Sequence, residues 1–323
     1  MNYQHILLID PLDRLVTEKD SSLMLALTLQ QMGEDVWLLF KENLYFSNYD
    51  SIVITLHSFS GSFADEKECY IKNFSLGEST PHELSPRSLI HMRLDPPFDT
   101  NYLRTLWILQ TLERYHNIKV VNTPAAILTN NEKLTAYRDQ AAIPGLISGD
   151  DQSLRPFLAQ LRADGVKSII IKPLDLYQGI GVSRHDLSLS DDKLAQTFKQ
   201  IVARFQGPVV VQPFVESVVE GELRSIYYGG KELGTIKKVP PPGEFLANIA
   251  QGASYAAVKL STTERTACDR IANEMSDEGS PWVAFDILGG AVSEVNITCP
   301  GLLVEVSSAV GRNLAKEIVE LIR

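Results

Sequence analysis

Apolar runs and amphipathic stretches alternate from the N-terminus onward. His5-Ile-Leu-Leu-Ile-Asp10 is a short apolar run stopped by Pro11 and reads as a strand, and Leu23 to Met32 follows with helical spacing before Gly33. Asp35 to Phe40 and Ser51 to Leu56 read as further strands, so the first third of the chain is expected to form a parallel, helix-covered sheet ending near Val120-Val121-Asn122. Residues 57–88 are polar and turn-rich without a clear period, which predicts an irregular loop. From Asn131 the pattern changes to a helix, a β-branched strand over Ser168 to Lys172, a glycine-bearing turn and a helix over Asp191 to Phe205, together a small α+β lobe. Val209 to Gln212, Glu222 to Tyr228, Leu233 to Lys237, Trp282 to Leu288 and Val292 to Ile297 predict strands carried on a mostly antiparallel sheet, closed by a helix from about Arg312 to Ile322.

Composition narrows the class without changing this α/β outline. With 323 residues, 44% of them hydrophobic, the chain can bury a large core and divide into two or three subdomains. No apolar run reaches the length of about eighteen residues that a membrane span needs, and Met1 to Asp10 lacks a signal-peptide pattern, so a cytoplasmic location is expected. The formal charge of −10 argues against broad contact with nucleic acid or an anionic membrane, leaving small molecules or short peptides as partners. Cys69, Cys268 and Cys299 are widely spaced without a CxxC, which suggests reduced thiols rather than a disulfide framework or zinc site.

Several polar positions point to phosphate chemistry. Glu294 and Asn296, two apart on a strand, share a face. Asp286 lies on the preceding strand across Gly289-Gly290: an odd-numbered loop centred on Gly290 puts it opposite Glu294 on the same face, and a two-residue loop puts the two on opposite faces. The odd loop is expected, because three converging oxygen donors suit Mg²⁺; the bland alternative is three solvated positions on a half-exposed sheet. Lys172 ends an apolar strand and can reach nucleotide phosphates, and the turn bearing Gly179 and Gly181 presents backbone N–H groups; the alternative is an ordinary exposed lysine. No GxxxxGK[ST] is present, which excludes a P-loop. Gln212, Pro213, Phe214 and Val215 continue a strand as a linker on which adenine can lie. Glu222 and Arg224 share a strand face, an acceptor for ribose hydroxyls and a cation for phosphate, or else a plain surface pair.

With these residues in place the chain resembles a known family over nearly its whole length. Asp10-Pro11, Lys19-Asp-Ser-Ser22, Arg93-Leu-Asp95-Pro-Pro-Phe-Asp99, Val121-Asn122, Asn131-Glu-Lys133-Leu, Lys172-Pro-Leu-Asp and Glu294-Val-Asn296 are similar to bacterial glutathione synthetases. Gln178-Gly-Ile-Gly-Val182, Gly243-Glu-Phe245 and Cys299-Pro-Gly-Leu302 look more like RimK-type amino-acid ligases, and both groups belong to the ATP-grasp superfamily. The resemblance implies an ATP-grasp fold with an N-terminal parallel α/β lobe over residues 1–123, a small central lid lobe over 124–211 and a mostly antiparallel C-terminal lobe over 212–323. It further implies an ADP-forming carboxylate-amine ligase working through an acyl phosphate, with ATP and Mg²⁺ (or Mn²⁺) as cofactors and a homo-oligomeric state. Lys133 and Lys172 would contact ATP phosphates, Gln212 to Val215 adenine, and Glu222 ribose. Asp286, Glu294 and Asn296 would bind the metal, while Arg224, Lys172 and Asn296 serve the phosphoryl transfer. Asp20, Ser21, Ser22 and Arg93, from the first lobe where the family places part of its acyl-substrate site, and Asn248 would belong to the substrate site, although Ser21 can also cap the helix starting there and Arg93 can pair with Asp95. Residues 237–254 are expected to form a loop that closes over the site.

Departures from both families lie around the substrate. Leu246 and Ala247 stand where an arginine is usual after Gly-Glu-Phe, Ala253 and Ser254 replace a glycine and an arginine, and Val304 occupies an arginine position expected to touch substrate. These changes leave the nucleotide site intact and open three readings. One is ligation of γ-glutamylcysteine with glycine, a second is a RimK-like ligase with another acyl donor or amine, and a third is a nucleotide-binding regulator without catalysis.

Overall fold

In the computed structural model, which describes residues 3–323, the N-terminal apolar run becomes the centre of a six-stranded sheet. Its strands are β1 (Gln4–Ile9), β2 (Asp35–Phe40), β3 (Val53–Phe63), β4 (Ile71–Glu83), β5 (Ser88–Arg93) and β6 (Lys119–Val121), ordered β4-β3-β2-β1-β5-β6. Strand β1 is buried on both faces, which is why it reads as unbroken apolar sequence. Leu7 and Ile9 pack with helix α1 (Ser21–Gln31), and Ile6 and Leu8 with helix α2 (Thr100–His116). Helix α1 is buried from Ser21 to Leu29, and Asp20 starts it by accepting from the Ser22 and Leu23 amides at 2.8 Å each.

The parallel order stops at β2. Strand β3 runs antiparallel to β2 and β4 antiparallel to β3, so the sheet is mixed rather than all-parallel. The region expected as an irregular loop is largely this long hairpin. Of β4, at the sheet edge, only Ile71 is buried, so neither of its faces is apolar and its alternation carries no hydrophobic signal. The hairpin end is tied down by a 2.6 Å hydrogen bond between the Tyr70 and Tyr255 hydroxyls and by an ion pair of Glu68 with Lys316.

After α3 (Pro124–Thr129) and α4 (Glu132–Thr135), strands β7 (Leu146–Ser148), β8 (Ser168–Pro173), β9 (Ser183–Asp186) and β10 (Val209–Pro213) make an antiparallel sheet ordered β7-β10-β8-β9. Ile169, Ile171, Val209 and Val211 back it onto α5 (Asp151–Ala163) and α6 (Asp191–Phe205). Val209 to Gln212 therefore pairs here and not in the C-terminal sheet, a correction to the strand series read from sequence. That third sheet, ordered β13-β12-β11-β14-β15, contains β11 (Glu222–Tyr228), β12 (Lys231–Val239), β13 (Ser254–Ala257), β14 (Trp282–Leu288) and β15 (Ala291–Asn296). One face buries Tyr227, Phe285 and Ile287 with Cys268 and Ile271 of α7 (Thr262–Asp277). The other packs on α1, α8 (Leu303–Val310) and α9 (Leu314–Ile322), fusing its core with that of the N-terminal sheet. Among the described residues no helix is long and apolar enough to cross a membrane.

One buried polar pair sits inside the N-terminal sheet. His5 on β1 and His91 on β5 stack with ring centroids 5.3 Å apart and share a 3.0 Å hydrogen bond between Nδ1 of His5 and Nε2 of His91, and Nδ1 of His91 has no partner among the described residues. Burial lowers both pKa values, and that of His91 lies well below the ordinary histidine range. The unfolded chain binds protons on these rings below about pH 6.5 while the folded chain resists them, so the pair's contribution is full above that pH and is lost as pH falls. The unfolding free energy measured between about pH 7 and pH 5 should fall by up to about 1.4 kcal/mol per pH unit for each ring, and a His5→Leu/His91→Leu variant should lose that part of the slope.

Candidate functional site

The face of the C-terminal sheet that packs on α1 changes character along its strands. Ile226, Ile236 and Ala284 are apolar, and two residues further along the same strands stand Arg224, Lys238 and Asp286, with Glu222 beyond Arg224. Strand periodicity keeps them on one face. They look into a cleft of about 480 Å³ lined from all three sheets.

Asp286 and Glu294 are directly opposed across β14 and β15, as a shared face requires. The route differs from the one expected. The turn is the two-residue Gly289-Gly290, with Leu288 opposite Ala291 and both glycines at positive φ (60° and 84°). A β-bulge then shifts the register between Asp286 and Ile287, so Ser293 is the extra residue that returns Glu294 to the face of Asp286. Asn296 joins them: its Nδ2 donates to Oδ2 of Asp286 at 3.1 Å and to the Ala284 carbonyl at 3.0 Å, and its Oδ1 accepts no hydrogen bond among the described residues. These hard oxygens form a donor set that a small dication can take.

Cations surround the set. Arg224 grips Asp286 with Nε at 3.0 Å and Nη2 at 2.8 Å, and Lys238 bridges Asp286 at 3.1 Å and Glu222 at 3.0 Å. Burial alone would raise the Asp286 pKa, but Arg224 and Lys238 outweigh it and bring the carboxyl down to about 2. Lys133 on α4 pairs with Glu294 at 3.2 Å and donates to the Leu176 carbonyl at 2.7 Å. Lys172 on β8 lies half-buried in the cleft and makes no hydrogen bond or ion pair among the described residues; desolvation lowers its pKa, and the charge of Glu294 partly offsets this.

Gln212 stands opposite Ile170 and donates to the Tyr137 hydroxyl at 3.1 Å, while Pro213, Phe214 and Val215 continue along the cleft wall. The Phe214 ring lies between the Arg184 guanidinium, 3.6 Å from its centroid, and an edge-on Phe245. Gly179 lines the cleft where Leu246 would sit 3.1 Å from an added Cβ. Gly181 is not brought to the cleft: it turns behind the wall, where a Cβ would meet Phe205 at 2.6 Å. Phe245 to Ala250 also line the cleft, and Asn248 Nδ2 reaches the Gln178 carbonyl at 3.5 Å.

Ser21, Ser22 and Arg93 line the opposite end. Arg93 donates to the Ser22 hydroxyl at 3.0 Å and to the Pro300 carbonyl at 2.9 Å and stacks 4.0 Å over Trp282, so it forms no pair with Asp95. Ser21 accepts from the Leu303 amide at 3.0 Å, and the helix cap falls to Asp20. Val304 is fully buried in the core, outside the cleft, because the register of α8 turns it inward. Two site residues escaped the sequence reading. Lys238 becomes visible only once β12 is registered against Glu222, and Glu132 pins α4 to the end of β15 by accepting from the Ile297 and Thr298 amides at 2.8 and 3.0 Å.

The chain matches two family models, "Prokaryotic glutathione synthetase, N-terminal domain" over residues 3–127 and "Prokaryotic glutathione synthetase, ATP-grasp domain" over residues 132–311. A glutathione synthetase of Parasynechococcus marenigrum is 30% identical over 321 residues, 99% of each chain, and one of Coxiella burnetii is 27% identical over 93% of this chain and 90% of its own. Among solved structures, D-cycloserine synthetase DcsG superposes with a TM-score of 0.67 at 14% identity over 99% of this chain and 100% of its own. D-alanyl-alanine synthetase A of Vibrio cholerae gives 0.61 at 14% identity over 100% and 98%. At that identity these two speak for the ATP-grasp fold alone.

Proposed function

The chain belongs to the prokaryotic glutathione synthetase family, and on that premise we propose that it uses ATP to join γ-glutamylcysteine to glycine, releasing ADP and phosphate. The observation that carries the reading is the single sheet face on which Asp286, Glu294 and Asn296 stand among Arg224, Lys238 and Lys133, with Lys172 on the facing wall.

A carboxylate is a poor electrophile. Its oxygen attacks the γ-phosphorus of ATP, the bond to the bridging oxygen breaks and ADP leaves; the amine then attacks the acyl carbon, phosphate leaves and the ammonium proton is lost. Lys133, Lys172, Arg224 and Lys238 hold the phosphates and offset charge on the transferred group. Gln212 to Val215 receive adenine and Glu222 the ribose. Asp286, Glu294 and Asn296 would hold a magnesium ion, a fit supported by their oxygen chemistry and the unused Oδ1 of Asn296. Such an ion would neutralise phosphate oxygens when bound. The loop from Phe245 to Ala250 excludes water from the acyl phosphate. A cytoplasmic homo-oligomer also belongs to this reading, on the family likeness alone.

An assay of ADP release tests it. Turnover should need ATP, magnesium, γ-glutamylcysteine and glycine together. The uncharged Leu246, Ala247 and Ser254 favour a second reading, a ligase for another acyl donor or amine, and turnover only with a different pair would select it. ATP binding without turnover on any pair would instead select the regulator.

A further inference from the structure

Beside α1 and α8 the cleft is lined by the acids Asp20, Asp95 and Glu305, with Lys19 and Arg93 also in the lining. Glu305, in the first turn of α8, is only 3% exposed, and its Oε2 has no hydrogen-bond partner among the described residues. No ion pair holds its carboxyl among the described residues, although it lies within the field of Lys19, Arg224 and Asp20. The Leu303 amide on the Ser21 hydroxyl locks the first turns of the two helices together. Asp20 spends Oδ1 on both capping bonds and keeps Oδ2 outside the cap.

A buried carboxyl with an unfilled acceptor is costly, and a cationic donor satisfies it best. We propose that Glu305, together with Asp20, binds the ammonium group of the acyl substrate, so that the chain selects carboxylates carrying a free amine elsewhere in the molecule. The proposal rests on the ligase reading above and names a specificity residue for it. The nucleophilic amine is the wrong occupant, because two carboxylates keep an ammonium protonated and an attacking amine must be neutral. A spectator ammonium suits them.

The test compares γ-glutamylcysteine with glutaryl-cysteine, which lacks only that amine, in the ADP-release assay with glycine. The wild-type chain should prefer the amine-bearing dipeptide in kcat/KM by about 10- to 150-fold, the range of a buried charge-assisted hydrogen bond. Glu305→Gln should erase most of the preference and leave the KM for ATP unchanged. Equal use of both dipeptides by the wild type, or an equal loss on both in the variant, overturns the proposal. Asp20→Asn keeps a capping oxygen, should move the same way, and serves as the deciding variant if Glu305→Gln does not fold. If no ADP appears on any pair the ligase reading fails separately, and calorimetric binding of the two dipeptides to the wild-type chain then tests the ammonium site directly. Selective binding of γ-glutamylcysteine supports that site; equal binding, or none, removes it.

Discussion

Glu294→Gln should lower kcat for ADP release by about three orders of magnitude, the scale on which removal of one preorganised charge acts at a phosphoryl-transfer site. The substitution keeps the size of the side chain and one oxygen but removes the negative charge, and a magnesium ion depends on carboxylate charge for much of its affinity. It also strips Lys133 of its only ion pair among the described residues, the 3.2 Å contact with Glu294. The fold should tolerate the change: the Glu294 side chain is 23% exposed, Lys133 keeps its bond to the Leu176 carbonyl, and β15 keeps its ladder to β14. The melting temperature should therefore stay near that of the wild type while the magnesium concentration for half-maximal rate rises. A variant that keeps more than about a tenth of the wild-type rate would remove Glu294 from the metal set.

The same pair of strands shows what could be read from sequence and what could not. Alternation in Val292 to Ile297 puts Glu294 and Asn296 on one face, and that much needs no structure. Whether Asp286 joins them depends on a single inserted residue, and a bulge at Ser293 has no sequence mark that separates it from an odd loop at Gly290. The relation was legible, but its cause was not. Lys238 illustrates a further limit, since Lys237 and Lys238 are equivalent in sequence until the register of β12 against β11 turns one toward Glu222. Gly181 and Val304 fail for the converse reason: a motif position fixes chemistry only where the backbone carries it into the cleft, and packing against Phe205 and within the core takes these two away. Other misses were avoidable. Tyr102, Leu106, Leu109 and Leu112 behind the cap Asp99 have the spacing of the helix α2 that they form, and Ser261 with Glu264 is the capping box that opens α7.

Lys172→Ala should separate ligand binding from stability. In the free chain its ammonium is desolvated and has no bonded partner among the described residues, so its charge is a cost that the fold carries. Removing it should leave the melting temperature of the free chain unchanged or raise it. A triphosphate supplies the missing negative charge, so the lysine becomes favourable only in the complex, where losing one buried charge partner is worth about 2 kcal/mol or more, about 30-fold in affinity. ATP should thus raise the melting temperature of the wild type far more than that of the variant. The loss in kcat should exceed the loss in binding if the ammonium also follows charge onto the transferred phosphoryl group. An alanine variant with wild-type ATP affinity and rate would return Lys172 to the status of an ordinary lysine at a strand end. Lys133, Arg224 and Lys238 would then be left as the phosphate cations, and each of them already holds a carboxylate in the free chain.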